Sequence, residues 1–119
     1  MKKLPVGTIV YAKYTYGGEI CHYNFYKIEG YTEKSVKITK LETEILYDKE
    51  SDYHYYDDPY ALVPRKLEGR YVIDTDVYNV SRKLHEGVNG EMTFKPEDYF
   101  VYQGPWLGIP LKAYNYHWA

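Results

Sequence analysis

The sequence predicts an all-β fold, a small SH3-like barrel of five to seven mostly antiparallel strands with at most one short helix. Three observations carry that expectation. Of 119 residues, 17 are Tyr against 3 Phe and 2 Trp, and tyrosine suits half-buried strand positions, where its ring is buried and its hydroxyl finds a partner. The N-terminal third alternates with period two. Glycine, proline and Asn-Gly signals recur too closely for long helices. At this length residues 1–119 form a single domain, burying roughly two-thirds of the surface of the unfolded chain.

The elements follow in order. "VGTIVYAKYTYGG" alternates Thr8, Val10, Ala12, Tyr14 against Ile9, Tyr11, Lys13, Thr15 and closes on Gly17-Gly18, a strand and a turn. "EICHYNFYKIEGYTEKSVKITKL" reads as two further strands. In the first, Cys21, Tyr23 and Phe25 share a face opposite His22, Asn24, Tyr26 and Ile28. In the second, Val36 and Ile38 are in phase while Leu41 and Ile45 are not, which predicts a bulge or a new strand between Ile38 and Leu41. "ALVP", bracketed by Pro59 and Pro64, reads as an edge strand or connector. Residues 74–87 carry two signals. Val77, Val80 and Leu84 have helical spacing behind an Asp74 or Asp76 cap, but Val80, Arg82 and Leu84 also alternate, and Asn89-Gly90 is a hairpin turn; strands are favoured.

Charge is uneven. Net charge is −2, but Glu42 to Asp58 holds seven acids and one lysine, a local −6, leaving 14 basic and 10 acidic residues elsewhere. The single cysteine, Cys21, precludes an internal disulfide and fits a reducing compartment. No run approaches 18 apolar residues and no signal-peptide pattern is present, so a soluble, cytoplasmic protein without membrane contact is expected.

Catalytic patterns are weak. Cys21 and His22 are strand neighbours on opposite faces and cannot form a dyad with each other; Cys21 reads as a small buried thiol. Ser35, Ser51 and Ser81 lie in no nucleophile-elbow context. "DKESDYHYYDDP" sets Asp48, Glu50 and Asp52 at the first, third and fifth positions of a calcium loop. Tyr53 stands where its glycine is needed and Pro59 where its bidentate glutamate is needed. That leaves adventitious divalent binding by Asp52, Asp57 and Asp58. No zinc spacing and no phosphate-cradling glycine loop occurs. No enzyme, resident metal or cofactor is expected.

Two binding surfaces stand out. The acidic, tyrosine-bearing stretch offers Asp48, Glu50, Asp52, Tyr53, Tyr55, Tyr56, Asp57, Asp58 and Tyr60 to a partner, since tyrosine is enriched at interface hot spots. Alternate carboxylates on a strand lie ~6.6–6.8 Å apart, whereas duplex DNA carries one charge per ~1.7 Å of axis. Full duplex mimicry therefore fails on spacing. Alternatively, Lys13, Lys27, Lys37 and Lys40, interleaved with tyrosines, suit nucleic acid.

The chain also resembles a group of small proteins encoded by bacteriophages and related mobile elements. An aromatic-Gly pair followed by Asn-Phe-Tyr is matched by Tyr16, Gly17, Asn24, Phe25 and Tyr26, with Ser35 and Val36 in the following strand. A Trp-x-Gly-x-Pro ending with terminal aromatics is matched by Trp106, Gly108, Pro110, Tyr114 and Trp118, and "ALVP" matches an internal element. The tyrosine/acid insert and "VIDTDVYNV" depart from the group. The resemblance implies a setting, a bacterial host cytoplasm, and in it an inhibitor of a host defence nuclease of the anti-CRISPR kind. The expected partner is thus a host protein, with direct nucleic acid binding or a structural phage role as alternatives. The sequence sets no oligomeric state.

Overall fold

The computed structural model describes residues 1–16, 19–46, 59–95, 98–103 and 112–114. The strands are β1 (Ile9–Tyr16), β2 (Glu19–Tyr31), β3 (Ser35–Leu41), β4 (Thr43–Leu46), β5 (Pro59–Pro64), β6 (Lys66–Leu67), β7 (Arg70–Tyr71), β8 (Val80–Glu86), β9 (Met92–Phe94), β10 (Tyr99–Val101) and β11 (Lys112–Tyr114). A 3₁₀ turn, Thr75–Val77, precedes β8. Six strands make one antiparallel sheet in the order β10-β1-β2-β3-β8-β9. That sheet curls into a nearly closed barrel. Phe94 of β9 stacks on Tyr99 of β10 at 4.1 Å between ring centroids, although these strands are its two edges. Strands β11-β5-β4 form a second sheet, and β6 and β7 a short hairpin.

Both faces of the central strands are buried, by different partners. Facing into the barrel, Val10, Ile28, Val36, Ile38, Leu84, Met92 and Phe94 form one core cluster. On the outer face Ile9, Tyr23, Phe25 and Leu41 form another, closed by Leu62 of β5. A sheet covered on one side shows clean apolar–polar alternation; one covered on both sides does not.

This explains the phase change in β3. No bulge lies between Ile38 and Leu41: β3 runs unbroken from Ser35 to Leu41, Val36 and Ile38 entering the inner core and Leu41 the outer one. A new strand does begin at Thr43. The irregularities fall instead at Ile28/Gly30 in the β2–β3 pairing and at Tyr14/Thr15 in the β1–β2 pairing. The expectation of an edge at Pro59–Pro64 is also corrected, because β5 is the middle strand of its sheet. Its prolines occupy the first and last positions, opposite Tyr114 and Thr43, so the residues between them keep their donors for the ladder.

Residues 74–87 resolve toward strand. Asp74 caps the 3₁₀ turn, its Oδ1 accepting the Asp76 N–H at 3.1 Å. The chain then reverses at Asn79, whose φ of +50° suits asparagine. Its N–H donates to Thr39 Oγ1 at 3.0 Å, giving that fully buried hydroxyl a partner. Strand β8 pairs with β9 through Leu84–Phe94, His85–Thr93 and Glu86–Met92. The turn between them contains Asn89-Gly90, with Gly90 at φ +82°.

Candidate functional site

The acidic stretch connects two strands that are hydrogen-bonded neighbours. Leu46, the last residue of β4, pairs with Ala61 of β5, so the two Cα atoms lie ~4.5–5.5 Å apart. The pairing continues through Ile45–Leu62, Glu44–Val63 and Thr43–Pro64. Leu62 is buried against Phe25 and Leu41, which ties this mount to the outer core. Asp48, Glu50, Asp52, Tyr53, Tyr55, Tyr56, Asp57 and Asp58 lie outside the described residues. Tyr60 is in β5 opposite Ala113.

The four lysines of the alternative surface do not converge. Lys13, Lys27 and Lys37 occupy outer positions of β1, β2 and β3, whereas Lys40 has the parity of Val36 and Ile38 and lies 3.5 Å from Asp74 Oδ2. Lys13 Nζ sits 4.8 Å from the centroid of the Phe100 ring. Lys27 pairs with Ile9, four residues along β1 from Lys13, a separation of ~13 Å. The intervening sheet holds Ile9 and Phe25, buried in the outer core. No continuous basic stripe runs along the two strands.

Lys27 and Lys37 do lie near each other, since Lys27 pairs with Thr39, two residues from Lys37. The register adds cations that the sequence reading passed over. Lys37 faces Ser81, and Lys83 faces Ser35. The signal for them was the alternation in "VSRKLHE": Val80, Arg82 and Leu84 turn inward while Ser81, Lys83 and His85 are exposed.

Many tyrosines outside the acidic stretch are scaffold. Tyr11 packs on Tyr23 at 5.8 Å and on Phe100 at 5.5 Å, Phe25 on Tyr102 at 5.2 Å, and Tyr26 on Tyr99 at 5.5 Å. These are cross-strand or cross-sheet ring pairs of the kind that stabilise sheets. Burial raises the pKa of Tyr23, with Tyr11 adding to it, and burial also raises that of Tyr31. Burial and then the neighbouring Tyr71 push Tyr102 up to about 12. All three are neutral phenols at physiological pH and serve as packing groups, Tyr31 also donating its hydroxyl to the Leu4 carbonyl.

Among the described residues no group of three His, Cys, Asp or Glu side chains could hold a metal ion, and no helix is long and apolar enough to cross a membrane. Compared with known proteins, the chain matches no family model, no curated protein and no solved structure.

Proposed function

We propose that this is a non-catalytic binding protein whose acidic, tyrosine-bearing connection engages a basic, nucleic-acid-facing surface of a partner protein. The observation that carries the reading is the mount. Residues 47–58 leave and re-enter a pair of hydrogen-bonded strands anchored in the outer core through Leu62. Connections this long in a compact domain are commonly functional, and fixing both ends lowers the ordering cost of binding. Carboxylates there would raise the association rate with a basic partner, and tyrosines would lengthen its residence. The resemblance to phage and mobile-element proteins suggests a host defence nuclease as the partner class, and inhibition as the outcome.

The test uses the wild-type chain and an Asp52→Ala/Asp57→Ala/Asp58→Ala variant as baits in nuclease-treated bacterial lysate, followed by titration of the captured protein over a salt series. The variant is expected to bind at least tenfold more weakly and with less salt dependence. Unaltered affinity and salt dependence in the triple variant overturn the reading.

A further inference from the structure

The outer side of β3 and β8 differs from the rest of the sheet. Its positions are Ser35 and Lys37 on β3 and Ser81, Lys83 and His85 on β8, with Lys34 in the preceding turn. Their neighbours Val36, Ile38, Val80 and Leu84 belong to the barrel core, so the five strand positions present outward, while Lys34, whose carbonyl accepts the Leu84 N–H at 2.9 Å, is exposed at the end of the β3 row. Because Lys37 faces Ser81 and Lys83 faces Ser35, the two lysines are diagonal neighbours, ~7–8 Å apart at Cα. Lys34, Lys37 and Lys83 make no ion pair among the described residues. Carboxylates border the face at Glu29, in the β2 irregularity beside Lys37, at Glu33 and at Asp76, but none stands in its two rows.

We propose that this face binds the phosphate backbone of nucleic acid, a role independent of the one proposed for residues 47–58. Two lysines held close with no carboxylate between them repel each other, and an anion spanning them relieves that repulsion. The residues between the cations are short hydroxyls, Ser35 and Ser81, which suit phosphate oxygens as donors. The same rows hold no Phe, Tyr, Trp or large aliphatic side chain. Between the lysines a protein partner would find no buried anchor of the kind that interface hot spots require, and His85 and the exposed Tyr78 stand only at the ends of β8. The recognition is therefore of backbone charge: sequence-independent and steeply dependent on salt.

Anisotropy of a fluorescein-labelled 20-base-pair duplex, titrated with the protein between 25 and 150 mM NaCl, tests this. About three phosphate contacts give a log–log salt slope near −2.7, a loss of roughly 100-fold across that range. The Lys37→Glu/Lys83→Glu variant, or Lys37→Gln/Lys83→Gln if the reversal perturbs the circular dichroism spectrum, is expected to bind at least tenfold more weakly at 25 mM with a much shallower slope. Lys13→Glu, on a distant part of the sheet, should leave affinity within twofold. No binding at 25 mM, undiminished binding by the double variants, or displacement by polyglutamate as effective as by unlabelled duplex at equal charge each overturn the proposal, the last by pointing to an acidic protein.

Discussion

Arg82 occupies a position on β8 that the barrel gives to apolar side chains, opposite Val36 and between Val80 and Leu84. Its Nη1 donates to the Ser81 carbonyl at 3.2 Å, but its Nε is buried without a hydrogen-bond partner among the described residues. A buried donor left unpaired costs about 1–3 kcal/mol, and an exposed hydrogen bond such as that from Nη1 returns only about 0.5–1.5 kcal/mol. Arg82→Met keeps the length of the stem along Val36 and removes the orphan donor, so a net stabilisation of about 1 kcal/mol is expected. For a domain of this size that raises Tm by roughly 3–5 °C. It also moves the urea midpoint up by about 0.5 M with the m-value unchanged. Arg82→Lys retains the charge but has no Nε–H, and should keep more than half of the gain, separating the orphan donor from the charge. Urea titration followed by circular dichroism measures all three proteins. If Arg82→Met is no more stable than the wild type, the buried Nε carries no penalty and the reasoning is refuted.

Two further outcomes follow from backbone strain and from proton linkage. The two-residue turn between β6 and β7 holds Glu68 at φ +52° and Gly69 at φ +76°, the type I′ pattern that prefers Asn-Gly. Glu68→Asn should therefore raise stability by about 0.5–1 kcal/mol, and a lower melting temperature would contradict this. Tyrosines in the unfolded chain lose their protons near pH 10, whereas burial, then Tyr71, holds Tyr102 at about 12. The folded state thus binds more protons between those values. Stability is complete below about pH 10 and falls as pH rises toward 12, by at most ~2.7 kcal/mol from Tyr102 and less in so far as its ring still meets water. Urea midpoints at pH 9, 10 and 11 should decline, and Tyr102→Phe should flatten the decline; a midpoint constant to pH 11 counts against the linkage.

The sequence made legible what depends on neighbours in the chain. Alternation marked β1 and β2, Asn89-Gly90 marked the β8–β9 turn, and Asp74 was recognisable as a cap although it serves one 3₁₀ turn. What depends on distant partners was not legible. Leu41 was out of phase because Leu62 covers the far side of β3, and that contact joins strands separated by the acidic stretch. The prolines around "ALVP" suggested an edge because the ladder partners of β5, Thr43 to Leu46 and Lys112 to Tyr114, cannot be inferred from local pattern. The four lysines looked like one surface for a similar reason: residue spacing gives the side of a strand, while register decides which strands lie together. Register set Lys40 beside Asp74 and set Lys83 diagonal to Lys37.

The strand order also dictates a timetable for synthesis. Strands β1, β2 and β3 form a local meander complete by Leu41, yet their lateral neighbours are β8, beginning at Val80, and β10, beginning at Tyr99. At ~5–20 residues per second, the ribosome takes roughly 3–12 s to supply the strand that pairs with β1. Throughout that interval Val10 and Ala12, almost fully buried in the finished protein, lie on an unpaired edge. The vulnerable species of this protein is therefore the half-made chain, whose open meander is a template for pairing with another copy before its own last strands emerge.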